Sequence, residues 1–161
     1  MMTLALSIQN LSYRYRGQQR PALVGVSLDV ARGDSLVIMG PTEAGKSTLT
    51  ASMNGLIPHF FKGRFDGAVT VLGRNSKGTS VAELSERVGM VFQDFEAQLF
   101  STNVELEVAF GPENLGLPRE EIVRRVDDNL RLASISTVPQ MTNARWRVLP
   151  VRLAPRRWAT G

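Results

Sequence analysis

The 161 residues include no cysteine, a single histidine and only two tryptophans. Without thiols, a disulfide framework and a thiolate metal site are both excluded, and a reducing cytoplasm fits. The lone histidine, His59, falls in the Pro58-His59-Phe60-Phe61 segment and reads as an ordinary loop residue. No window approaches eighteen consecutive apolar residues, so no spanning helix is expected. The N-terminus has no basic stretch followed by a long apolar one, which argues against a secretory leader. Acid is also missing, but only from one region. Residues 129–161 hold six arginines and no Asp or Glu, whereas residues 1–128 hold 13 Lys and Arg against all 15 Asp and Glu. The net charge of +4 therefore comes from the end of the chain, and no nucleic-acid partner is expected of the domain. Glycine stops at the same place, with none between Gly116 and Gly161. What remains, 43% hydrophobic and 21% charged, suits one globular domain and excludes compositional disorder.

Apolar periodicity predicts the elements. Leu4–Tyr15, with Leu4, Leu6 and Ile8 alternating, reads as a half-buried strand, and Leu23, Val24, Val26, Leu28 and Val30 as a second. Ser35-Leu36-Val37-Ile38-Met39 is a β-branched apolar run and predicts a strand buried on both faces. Ser47–Leu56 reads as a helix ended by Gly55 and Pro58, and residues 58–67 as a loop whose phenylalanines, Phe60, Phe61 and Phe65, pack on the sheet. Ala68–Leu72 and Val88–Phe92 read as strands, Val81–Glu86 as a short helix. Val104–Phe110 predicts a helix stopped by Gly111-Pro112. Pro118–Ala133 is the clearest helix: Pro118 and Glu120-Glu121 suit its start, and Ile122, Val126, Leu130 and Ala133 share a face.

Gly40-Pro41-Thr42-Glu43-Ala44-Gly45-Lys46-Ser47-Thr48 matches G-x-x-x-x-G-K-[ST] between the expected strand and helix. Glycines let the backbone curl so that the amides of residues 43–48 point at a polyphosphate. Lys46 reaches the β- and γ-phosphates, and the Ser47 hydroxyl ligates Mg²⁺. ATP and Mg²⁺ are the expected cofactors. Glu43 stands where many such loops carry glycine, and this variant is similar to the loop of some DNA-repair and chromosome-maintenance ATPases.

Further segments resemble the ATP-binding subunits of ABC transporters, and more narrowly the ATPases of energy-coupling-factor importers of vitamins, cobalt and nickel. Leu11-Ser12-Tyr13-Arg14-Tyr15 followed by Pro21-Ala22-Leu23 is similar to the family's opening strand. The resemblance assigns adenine stacking to Tyr15, with Tyr13 as its competitor. Gly89-Met90-Val91-Phe92-Gln93-Asp94 resembles the family's Q-loop, in which Gln93 touches Mg²⁺ and the attacking water and senses the membrane subunit. Gln98-Leu99-Phe100-Ser101, Val104 to Pro112 and Asn114 to Pro118 resemble the stretch peculiar to energy-coupling-factor ATPases, which opens the helical subdomain.

The resemblance implies an α/β P-loop fold: an antiparallel β lobe, an incomplete nucleotide-binding core and the start of a helical subdomain. It covers residues 1–133, leaving 134–161 as an irregular basic tail. The family's acid-ending strand, general-base glutamate, glycine-rich signature and switch histidine have no counterpart in residues 129–161. Hydrolysis by this chain is therefore not expected, and a frameshift or truncation before the signature accounts for the tail. The implied parent is a transport ATPase, peripheral on the inner face of the cell membrane. Its partners are a second ATPase subunit and a transmembrane coupling subunit. The rivals are an inert product and a chromosome-maintenance ATPase. Apolar edges left without later strands are an aggregation liability.

Overall fold

Strand β1, Leu4–Tyr15, changes the parity of its apolar residues halfway along: Leu4, Leu6 and Ile8 are even, Leu11, Tyr13 and Tyr15 odd. A regular strand would turn one set to solvent. The computed structural model, which describes residues 4–133, shows how both sets reach one core. The register shifts between Ile8 and Leu11 against one neighbouring strand and between Gln9 and Ser12 against the other, and Asn10 takes a φ of +48°. This bulge inserts an extra residue and restores the inward phase. Ile8, Leu11 and Tyr13 are each at most 1% exposed.

The neighbours accommodate the bulge. Strand β2, Leu23–Ala31, has Gly25 at φ +60° beside Asn10, and strand β3, Gly63–Val71, has Gly67 at φ +91°. A Cβ at Gly67 would strike the carbonyl oxygens of Asn10 and Gln9. Hydroxyls stand in for ladder acceptors: the Asn10 amide donates to Ser27 Oγ at 3.0 Å, and the Gly25 amide to Ser12 Oγ at 2.8 Å. The phase change in β2 also leaves Val24, expected on the apolar stripe, 72% exposed.

The sheet is antiparallel in the order β2-β1-β3-β4, with β4 the short Arg74–Asn75. Helix α1, Lys46–Met53, packs Leu49 and Ala51 into the core with Ile57, Val69 and Val71. It ends earlier than expected, at Met53, because Gly55 turns left-handed at φ +80° and begins the short α2, Leu56–His59. Helix α3, Val81–Ser85, starts with a capping box in which the Ser80 side chain accepts from the Glu83 amide and Glu83 reaches back.

Three expectations are corrected. Residues 35–39 form no strand: they have no ladder partner among the described residues, and Leu36, Val37 and Met39 are more than 40% exposed. Residues 88–92 form none either, for the same reason. The loop expected over 58–67 is half strand, since β3 already begins at Gly63, and Phe60 stands 73% exposed instead of packing on the sheet.

Residues 91–133 form a second unit, described by itself. After a 3-10 turn, Glu96–Gln98, helix α4 spans Val104–Asn114 and helix α5 Arg119–Leu132, and the two pack together. The Asn103 side chain caps α4 by accepting from the Glu105 and Leu106 amides. This helix runs through Pro112, because a proline near its end forfeits only one internal hydrogen bond. Ile122, Val126 and Leu130 are half-buried on one face of α5, while Ala133 is exposed. Glu121 receives Arg125 Nε at 2.7 Å and Arg124 Nη2 at 2.8 Å. The tail at 134–161 lies outside the described residues.

Leu11→Ala should destabilise the chain by about 3 kcal/mol in urea unfolding, whereas Val24→Ala should change it by less than about 0.5 kcal/mol. The guanidiniums of Arg125, chiefly, and Arg124 hold the Glu121 carboxyl below its ordinary 4.5. Its contribution to α5 is thus complete above pH 4.5 and is lost as pH falls through the lowered native value. In a circular-dichroism titration from pH 6 to 2, Glu121→Gln should remove that step.

Candidate functional site

The segment 40–48 leaves the extended stretch before it and runs directly into α1. Gly45 caps the helix at φ +88°, and a Cβ there would collide with the Ala22 carbonyl and lie 3.0 Å from Leu23 Cδ2. Only glycine lets the loop press this closely against the start of β2. Glu43 is also left-handed, at φ +66°, a conformation that costs a side-chain-bearing residue about 1 kcal/mol. It is exposed, as are Gly40, Pro41, Thr42 and Ala44.

The first turn of α1 has no side-chain cap and no acidic residue. Its first internal bond in this turn is Leu49 N–H to Gly45 O, at 2.9 Å. The amides of Lys46, Ser47 and Thr48 therefore lack intrahelical acceptors and sit at the positive end of the helix dipole. Lys46 folds back over the loop, its Nζ donating to the carbonyls of Gly40 at 2.7 Å and Pro41 at 2.6 Å. One cation, three helix-start amides and an exposed Ser47 hydroxyl thus lie within residues 40–48, a segment whose one carboxylate is Glu43.

Tyr15 is joined to this loop. Its hydroxyl lies 3.1 Å from Thr48 Oγ1, tying the end of β1 to the first turn of α1. Thr48 is 7% exposed, so its hydroxyl is committed to Tyr15 and its amide is what the loop can offer a ligand. The Tyr15 ring is half-buried, edge-on to Tyr13 at 4.9 Å and to Phe61 at 6.3 Å. Tyr13, the competing aromatic, is 1% exposed and donates to the Phe61 carbonyl at 3.0 Å. Burial, with a smaller effect of Tyr15, raises its pKa. Tyr13 is a core residue.

The sequence named the loop and Tyr15 but missed what fixes their places, the close approach of Gly45 to the Ala22 carbonyl and the Tyr15–Thr48 hydroxyl pair. Both join positions far apart in the chain, and no residue type signals that. Gln93 belongs to the second unit, exposed and shortly before the 3-10 turn. Nearby, Glu107 accepts from the amides of Phe100 at 3.0 Å and Ser101 at 2.7 Å.

The family model for ABC transporters matches residues 23–148. The chain belongs to the ABC transporter family. The match runs on from α5 into the segment read as a basic tail. A Caldanaerobacter subterraneus protein described as an ABC transporter ATP-binding protein is 50% identical over 148 residues, 88% of this chain and 26% of its own length. A Pyrococcus abyssi protein of the same description is 46% identical over 130 residues, 81% of this chain and 46% of that one. CbiO1 of Clostridium perfringens, part of the ABC transporter complex CbiONQ, superposes with a TM-score of 0.70 at 33% identity, covering 83% of this chain and 51% of its own. An ATP-binding cassette dimer bound to ADP and phosphate shares the fold, with a TM-score of 0.62 at 24% identity over 80% of this chain and 57% of that one. The chain thus spans between about a fifth and somewhat over half of the length of the proteins it matches. Its fold is the N-terminal part of an ABC ATPase, an antiparallel sheet with helices. Among the described residues no helix is long and apolar enough to cross a membrane.

Removing either hydroxyl of the Tyr15–Thr48 pair should cost about 1 kcal/mol. In a double-mutant cycle read by urea unfolding, Tyr15→Phe with Thr48→Val should cost less than the two single changes added together.

Proposed function

We propose that this chain binds MgATP at residues 40–48 and is the ATP-binding component of an ABC importer of the energy-coupling-factor type. The observation that carries the reading is the uncapped start of α1, with its carboxylate-free first turn, directly behind a loop over which Lys46 is folded. A triphosphate fits this cradle. It would replace the Gly40 and Pro41 carbonyls as acceptor for Lys46 and take the amides of residues 43–48. Among the described residues no three His, Cys, Asp or Glu side chains cluster as a metal site, so the Ser47 hydroxyl and the nucleotide's own oxygens would hold Mg²⁺. When bound, that ion neutralises charge on the β- and γ-phosphates. Tyr15, linked to the loop through Thr48, is the adenine platform, and Gln93 the contact to the metal and the coupling signal.

The importer assignment rests on the segment 98–118 and on the likeness to CbiO1. A second ATPase subunit and a transmembrane coupling subunit are the partners, with the ATPase at the inner face of the cell membrane. Family membership favours this reading over a chromosome-maintenance ATPase despite Glu43. Turnover needs the signature and general base, and we expect no phosphate release from the 161-residue chain alone.

Equilibrium binding tests the reading. The unsubstituted chain should bind MgATP and become resistant to proteolysis over about residues 1–133, and Lys46→Ala should weaken binding more than about tenfold. Tyr15→Ala should weaken ATP binding by a similar factor but leave inorganic tripolyphosphate unaffected. No ATP binding and no protection would instead mark an inert product.

A further inference from the structure

Beyond the bulge, alternation sends the odd residues of β1 into the core, Tyr13 and Tyr15 among them, and the even ones outward. After Ser12 the next outward residue is Arg14, and Arg16 follows, exposed, in the turn just past the strand. In the β1–β3 register Arg14 stands directly opposite Arg64, and the Arg16 amide donates to the Lys62 carbonyl at 3.0 Å, setting Lys62 against Arg16. Four exposed cations thus stand in two opposed positions, Arg14 and Arg64 within the ladder and Arg16 and Lys62 just past its end. Like charges at opposed positions destabilise a sheet. Compensation is slight: Asp66 pairs with Arg64 at 2.8 Å, and the described ion pairs give Arg14, Arg16 and Lys62 no carboxylate. Arg14 Nη1 reaches only the Gln18 carbonyl, at 3.5 Å. The four side chains line an open cleft of about 530 Å³; Tyr15 borders it as well, but no residue of 40–48 contributes. That volume is in the range of small-molecule sites.

We propose that this cleft binds a soluble, multiply charged phosphate anion at a site separate from residues 40–48. Three guanidiniums supply planar forks for phosphate oxygens and Lys62 a point charge, so the anion offsets the repulsion built into the ladder. A cleft walled by opposed cations suits a small anion better than a planar bilayer. The proposal does not depend on ATP binding at the loop.

The test uses the full chain carrying Lys46→Ala, which weakens the loop site, and titrates it with inorganic tripolyphosphate by calorimetry. Salt-sensitive binding is expected. Adding Arg14→Gln and Lys62→Gln should weaken it at least about tenfold while the unliganded Tm stays level or rises, since repulsion has been relieved. Any of four results overturns the proposal. One is failure of the Lys46→Ala chain to bind tripolyphosphate, and another is an affinity within about twofold after the added changes. A third is a lowered unliganded Tm, marking the cations as structural. The fourth is sedimentation with phosphatidylglycerol vesicles without tripolyphosphate binding, marking a membrane face. Loss of MgATP binding in Lys46→Ala bears only on the loop.

Discussion

Strand β1 must place two apolar sets of opposite parity on one side of a sheet while it is paired on both edges. The bulge at Asn10 meets that constraint, and much of the first unit follows from it. Because the phase is reset there, Leu11 and Tyr13 continue the core begun by Ile8, and Tyr15 arrives beside α1 within reach of Thr48. The same reset turns Arg14 and Arg16 outward. One extra residue thus sets the position of an aromatic near the phosphate loop and the identity of the opposite face. The cost is borne locally by Gly25, Gly67 and two serine hydroxyls.

The phosphate loop depends on a second close approach, that of Gly45 to the Ala22 carbonyl. It seats the start of α1 against β2, so the helix-start amides are held by the sheet. Lys46, bonded to the Gly40 and Pro41 carbonyls, keeps its charge folded over the loop. The loop and the cationic cleft handle positive charge differently. At the loop the charge is one lysine plus oriented amides; at the cleft it is four side chains opposed across a ladder with one carboxylate between them.

Residues 35–39 and 88–92 are where apolar composition and structure part. Both runs carry the β-branched, uncharged signature of a buried strand. A strand exists only within a ladder, and among the described residues neither run joins the sheet. Leu36, Val37 and Met39 remain exposed as a result, and only Ile38 of the first run packs against the core. Helices α4 and α5 were far more legible, because their hydrogen bonds and caps are local.

By itself the sequence determined the phosphate-loop motif, the family resemblance and the approximate course of the helices, since each is written in neighbouring residues. Tertiary structure alone decided that Tyr13 is core while Tyr15 lies beside the loop, that Gly45 must be glycine because of Ala22, and that Arg14 meets Arg64 across two strands. Each of these is a contact between residues far apart in the chain. Such contacts are set by register and bulge position, which alternation read along one strand does not contain.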